Sequence, residues 1–155
     1  YFVVAPSTFH RVQSGVELGY ADADMQAGAA LKAAVEALPA PGVLADIQAA
    51  IHHAAQGGQV GILGYCWGGL LTWRSACLLN GLSAAVPYYG GGMTTEAEIA
   101  RQPKVPVLAH FAEQDRWIPL EGVQAFRKAH PSIAAHTSAQ LARERTLAFL
   151  SQHLG

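Results

Sequence analysis

The chain has 155 residues, 51% of them apolar and 14% charged, with ten Lys and Arg against eleven Asp and Glu. That length suits one ordinary domain able to bury roughly 68–70% of its unfolded surface, and the composition excludes disorder. A net charge of −1 leaves no basic field for nucleic acid or an anionic membrane surface.

In chain order, residues 1–5 are a β-branched and aromatic run closed by Pro6, which predicts a buried strand. Residues 7–20 read as loop. The Ala-rich stretch 23–38 predicts a helix stopped by Pro39-Ala40-Pro41-Gly42. Residues 43–56 predict a second helix, with Val43, Leu44, Ile47 and Ile51 at helical spacing and Gly57-Gly58 as its stop. A strand at 59–63, a tight turn at 64–69 and a buried helix at 70–79 follow. Next come a strand at 82–88 and a Gly90-Gly91-Gly92 loop. Residues 105–111 predict a strand, 120–129 a helix, 133–136 a short strand and 138–154 a closing amphipathic helix. Strands alternating with helices imply an α/β domain, a parallel sheet covered on both faces. No repeat or linker divides the chain, so residues 1–155 read as one domain.

No apolar run approaches the length of about 18 residues that a spanning helix needs. Cys66 and Cys77 are the only cysteines and form no disulfide framework, so a cytoplasmic location is expected.

Chemistry concentrates in Val60-Gly61-Ile62-Leu63-Gly64-Tyr65-Cys66-Trp67-Gly68-Gly69. Strand, Gly-x-Cys-x-Gly, then helix is a nucleophile elbow with cysteine in place of serine. Such a turn needs small neighbours, so side chains at Gly64 or Gly68 are expected to clash with the crossing backbone. The turn aims Cys66 out of the sheet's carboxyl edge, beside a helix N-terminus that favours thiolate. The Trp67 N–H would supply half an oxyanion hole. The competing reading of Cys66 is an inert buried cysteine in a glycine-rich turn; Cys77, mid-helix beside Leu78 and Leu79, lacks the motif and reads as inert. In this kind of site the chain order is nucleophile, acid, histidine. Asp115, in the loop after the 105–111 strand, is the preferred acid and Glu113 the reserve. The competing reading of Asp115 is a turn or cap residue.

Gly64-Tyr65-Cys66-Trp67-Gly68-Gly69, Pro87-Tyr88-Tyr89-Gly90, Asp115-Arg116-Trp117-Ile118-Pro119 and Ala142-Arg143-Glu144-Arg145-Thr146-Leu147-Ala148-Phe149 resemble the dienelactone hydrolase family. Val4-Ala5-Pro6 and Phe9-His10-Arg11 extend the resemblance over nearly the whole chain. It implies a single-domain α/β-hydrolase fold and hydrolysis of small-molecule esters or lactones by a Cys-His-Asp triad, with Cys66 as nucleophile and Asp115 as acid. No cofactor is expected, and the protein is expected to be a monomer or small homo-oligomer. Metal chemistry has no support: His52 and His53 are adjacent on a helix and point apart, and no His-Glu-x-x-His occurs.

Two family features have no counterpart. One is a set of upstream strands with a loop that brings a second oxyanion N–H and a carboxylate. The other is a Gly-His-Gly/Ser-Phe loop before the closing helix. Chain order admits His130, His136 and His153 as base. His136, at the end of the last predicted strand, is the candidate; the other two read as cap and helix-end residues. His10 could face the cleft, while His52, His53 and His110 are given no catalytic role. The chain is therefore expected to be a family domain whose opening and histidine loop are missing from the sequence. The rival account is a truly short chain with a broken triad, a non-catalytic α/β-hydrolase-like binding module. For substrate contacts, Trp67 and Trp117 are expected to wall an apolar pocket. Arg143 or Arg145 could hold a carboxylate, or be plain surface charge. A generic carboxylesterase or lactonase fits as well as a dienelactone enzyme.

Overall fold

The computed structural model describes residues 1–136 and 141–155. The chain divides into two compact units, Tyr1–Ala54 and Ala55–Gly155.

The first unit carries helices α1 (Asp22–Glu36) and α2 (Val43–Ala54). Asp22 and Asp24 in the first turn of α1 complement the helix dipole. The stripe Val43, Ile47 and Ile51 of α2 is buried, as its spacing requires. Arg11 grips Asp46 of α2 in a two-pronged ion pair at 2.6 and 2.8 Å. The expected opening strand is corrected: residues 1–5 form none, and Tyr1 and Val3 are 80% and 79% exposed. A β-branched run becomes a strand only where a neighbour completes its ladder, and among the described residues this one has no ladder partner.

The second unit begins with a 3-10 turn (Ala55–Gly57) and then alternates strictly. The order is β1 (Gly61–Tyr65), α3 (Trp67–Leu78), β2 (Ala84–Tyr88), α4 (Glu96–Ile99), β3 (Leu108–His110), α5 (Leu120–Ala129), β4 (Ala134–His136) and α6 (Ala142–Leu154). All strand pairs are parallel, in the order β1-β2-β3-β4. Successive side chains of β2 and β3 are buried on alternate faces of the sheet. Ala85, Val107, Ala109 and Phe111 pack with Leu70, Trp73 and Ala76 of α3 and Val123 and Phe126 of α5. Ala84, Val86 and Leu108 pack with Leu150 of α6 on the other face. The sheet of this unit is thus covered on both faces, and its strands are near-continuous apolar runs for that reason.

The buried Glu98 carboxylate of α4 accepts N–H bonds from Arg74 of α3 and Arg101, both at 2.8 Å. Its backbone carbonyl accepts the Trp73 indole N–H at 3.2 Å. Helix α4 was not anticipated, because its four residues show no apolar period. The turn expected over 64–69 shrinks to Cys66 alone, because β1 runs on to Tyr65 and α3 starts at Trp67. The closing helix starts at Ala142; residues 137–140 of its expected span lie outside the described residues.

Candidate active site

Cys66 has φ 54° and ψ −118°, a backbone state rare for any residue with a Cβ. Holding it costs on the order of 1–3 kcal/mol, which the surroundings must offset. They do so on both sides of the residue. The Cys66 N–H donates to the Tyr88 carbonyl at 3.1 Å, and the Cys66 carbonyl accepts the Gly69 N–H at 2.9 Å. Two glycines permit the close approach. A Cβ on Gly64 would stand 2.5 Å from the Gly68 carbonyl carbon and also against its oxygen. A Cβ on Gly69 would meet the Tyr88 carbonyl oxygen and lie 3.0 Å from Gly90 Cα. The expectation for Gly68 is corrected: a Cβ there meets nothing within 4 Å, because it points away from the crossing strand.

The result is an exposed thiol between the carboxyl end of β1 and the N-terminus of α3. Trp67 opens α3, so its N–H belongs to the first turn, whose donors point out of the helix toward its start. Tyr89 beside it also has positive φ, 35°. Its hydroxyl is pushed up from its ordinary pKa by burial first, then by the negative charges of Cys66 and Tyr65. Cys77 is buried, and burial pushes its thiol up to about 11.

Strand register lays a row of rings across the carboxyl edge. Tyr65 pairs with Tyr88, Tyr88 with His110, and His110 with His136. Ring centroids are 4.7, 4.5 and 6.2 Å apart along the row. His110 is only 4% exposed. Burial, then His136 and Arg145, lower its pKa to about 4, so it is neutral at ordinary pH. Thr146 of α6 reaches into the row, 2.6 Å from the Tyr88 hydroxyl and 3.0 Å from His110 Nε2. Sequence reasoning gave His110 no role. A histidine inside an otherwise apolar buried strand was the available signal.

Asp115 follows β3, on the same edge of the parallel sheet. Its Oδ1 accepts the N–H groups of Trp117 at 2.7 Å and Ile118 at 3.2 Å, which is the turn-forming role weighed from the sequence. Among the described residues it bonds no histidine. Glu113 lies exposed in the preceding turn. His136 closes β4, half-buried, its pKa lowered by burial and then by Arg145 and Arg127. Cys66, Asp115 and His136 thus share one edge, but no hydrogen bond joins them. Trp117 is 78% exposed, with the Arg116 guanidinium 5.0 Å from its ring centroid. Arg143 faces solvent, whereas Arg145 is half-buried and acts on both histidines of the row. His130 caps α5 and is buried, its Nε2 2.9 Å from the Ile99 carbonyl; His153 packs on Phe149. Among the described residues no cluster of His, Cys, Asp and Glu is arranged for a metal, and no helix is long and apolar enough to cross a membrane.

Comparison with known proteins adds a frame. A Salmonella typhi protein named "Putative carboxymethylenebutenolidase" is 33% identical over 141 residues, covering 83% of this chain and 50% of its own. The chain therefore spans about half the length of curated relatives of this kind. The carboxymethylenebutenolidase of Pseudomonas putida is 29% identical over 177 aligned positions, 97% of this chain and 74% of its own. Among solved structures, a "Putative Dienelactone Hydrolase" of Klebsiella pneumoniae superposes with a TM-score of 0.57 at 25% identity, over 76% of this chain and 62% of that one. The parallel sheet with its crossover helices is accordingly an α/β-hydrolase fold. The family model for dienelactone hydrolases matches residues 1–153, and the chain belongs to that family.

Proposed function

We propose that the chain carries the nucleophile of an ester or lactone hydrolase that works through an acyl-enzyme. The observation that carries this reading is Cys66: an exposed thiol held in a strained backbone state at a helix N-terminus. Proteins retain such strain where it serves a site. The Cys66 thiolate adds to the substrate carbonyl, and the Trp67 N–H receives the oxyanion. Collapse expels the alkoxide, which a histidinium protonates, and leaves a thioester on Sγ. Water, deprotonated by the same histidine, then cleaves the thioester and regenerates the thiolate. One oxyanion donor contributes roughly 3–4 kcal/mol to such a barrier.

Asp115 is the proposed orienting acid, its Oδ1 fixed by two N–H groups. Within the described residues His136 is the proposed base. Burial and then Arg145 and Arg127 lower its pKa, and the two arginines beside it favour an anionic substrate group. Trp67, Trp117 and Arg143 are retained as proposed substrate contacts. The alignment with the Pseudomonas putida relative has 177 positions against 155 residues here, so that relative holds internal residues with no counterpart in this chain. This supports the reading that a histidine loop of the family is absent from the sequence. Two free cysteines fit a reducing, cytoplasmic setting.

The test is p-nitrophenyl acetate turnover by Cys66→Ala, expected at background; wild-type turnover would sink the nucleophile assignment. Alkylation separates the enzyme from the rival reading, a binding module with a broken triad. Iodoacetamide at neutral pH should modify Cys66 quickly and Cys77 only after unfolding, as read by mass spectrometry. Equal slow labelling of both would favour the binding module.

A further inference from the structure

Thr146 of α6 stands between buried His110 and half-buried Tyr88, which arise far apart in the sequence. Its Oγ1 is 2.6 Å from the Tyr88 hydroxyl and 3.0 Å from His110 Nε2. The Tyr88 hydroxyl also lies 3.4 Å from the Ala142 carbonyl, one helical turn before Thr146. His110 Nδ1 is buried and has no partner among the described residues.

The distances alone leave the donors open, and the buried, unpartnered Nδ1 favours one assignment of the protons. A buried N–H without an acceptor is rarer and costlier than a bare acceptor. The unpartnered Nδ1 is therefore the lone-pair nitrogen, and Nε2 carries the proton. His110 Nε2–H then donates to Thr146, the Thr146 hydroxyl donates to Tyr88, and the Tyr88 hydroxyl donates to the Ala142 carbonyl. Every donor is satisfied, and the chain of bonds runs one way, from β3 through α6 to β2 and back to α6. Protonating His110 would place a buried N–H at Nδ1 with nothing to receive it. His136 and Arg145 are the charged or titratable neighbours acting on this ring, and both oppose its protonation.

Tyr88 is the residue on which the elbow rests. Its carbonyl receives the Cys66 N–H, and the same oxygen sits where a Gly69 side chain would go. Its ring packs 4.7 Å from that of Tyr65, the residue before the thiol. We propose that Thr146 and neutral His110 are positioning residues that lock Tyr88, and through Tyr88 the backbone of Cys66, from the far face of the sheet. The closing helix thereby sets the geometry of the reactive turn. The inference rests on the reading of Cys66 as nucleophile only for its effect on turnover.

Thr146→Val keeps the shape of the side chain and removes its hydroxyl; Thr146→Ser restores the hydroxyl. The Val variant is expected to lower both the second-order rate of Cys66 alkylation and kcat for p-nitrophenyl acetate by about tenfold, since displacement by a fraction of an ångström suffices. KM should change by less than about twofold, because the hydroxyl is not offered as a substrate contact. The Ser variant should return both rates to within about twofold of wild type. Tyr88→Phe removes the same link from the other end and serves if the Val variant does not fold. Where both fold, the double variant should be no slower than the worse single one. Histidine-ring nitrogen spectra should show His110 in its Nε2–H form at neutral pH. Wild-type alkylation in Thr146→Val and Tyr88→Phe, failure of Ser to rescue, or an Nδ1–H ring would each overturn the proposal. If Cys66→Ala retained turnover, the nucleophile reading would fall, yet the alkylation rates would still judge the elbow.

Discussion

Replacing Gly64 by alanine adds one methyl group where β1 passes the first turn of α3. The new Cβ would stand 2.5 Å from the Gly68 carbonyl carbon and 2.7 Å from Thr72 Oγ1. Relaxed carbon contacts lie at about 3.5–4.0 Å, so the start of α3 must retreat by about 1 Å. Overpacking of this kind costs about 1–3 kcal/mol, and the upper end applies because the obstructing atoms are backbone. For a chain of this size that lowers Tm by about 6–12 °C. A shift of 1 Å at the nucleophile also costs about 100-fold in turnover. The control is Gly68→Ala, four residues on in the same motif. Its Cβ meets nothing, and alanine is favoured over glycine inside a helix by up to about 1 kcal/mol. Calorimetry and ester turnover on both variants decide the matter. If Gly64→Ala melts and turns over like wild type, or if Gly68→Ala falls as far, the close-approach argument is wrong.

Glu98→Gln should destabilise the fold by about 2 kcal/mol in urea unfolding. That is below the usual loss for a broken buried pair, because Arg74 and Arg101 each keep about a third of their side chain in water; an unchanged midpoint would refute the role given to this triad. Stability should also fall as pH drops from 6.5 to about 4. His110 is protonated in the unfolded chain below 6.5 but in the native state only near 4, so its contribution is complete above 6.5 and lost through that window. His136 acts in the same direction. Urea midpoints against pH check this, and His110→Asn should flatten the curve; an unaltered slope in that variant would count against a neutral buried His110.

The elbow was legible because its physics is local. A strand, small residues around a cysteine, and a helix are consecutive in sequence, and the strained state of Cys66 follows from their joining. Gly64 was legible as a close approach, but Gly69 in place of Gly68 was not, since crowding depends on what crosses each glycine and Gly68 turns outward. Residues 1–5 show the same limit: a β-branched run reports suitability for a strand, not the presence of a neighbour to pair with. Asp115 was singled out as the candidate acid by its place after β3. Its hydrogen bonds are those of a turn, and that bears on how it could meet a histidine.

The sequence by itself determined the alternation of strands and helices, the parallel sheet and the cysteine turn. Each is written in short-range periodicity or in residues a few positions apart. Only the tertiary structure decided that Tyr65, Tyr88, His110 and His136 form one row, and that Thr146 ties the row to the closing helix. Register between parallel strands is set by packing of whole faces across long crossovers, and no local pattern in the chain encodes it.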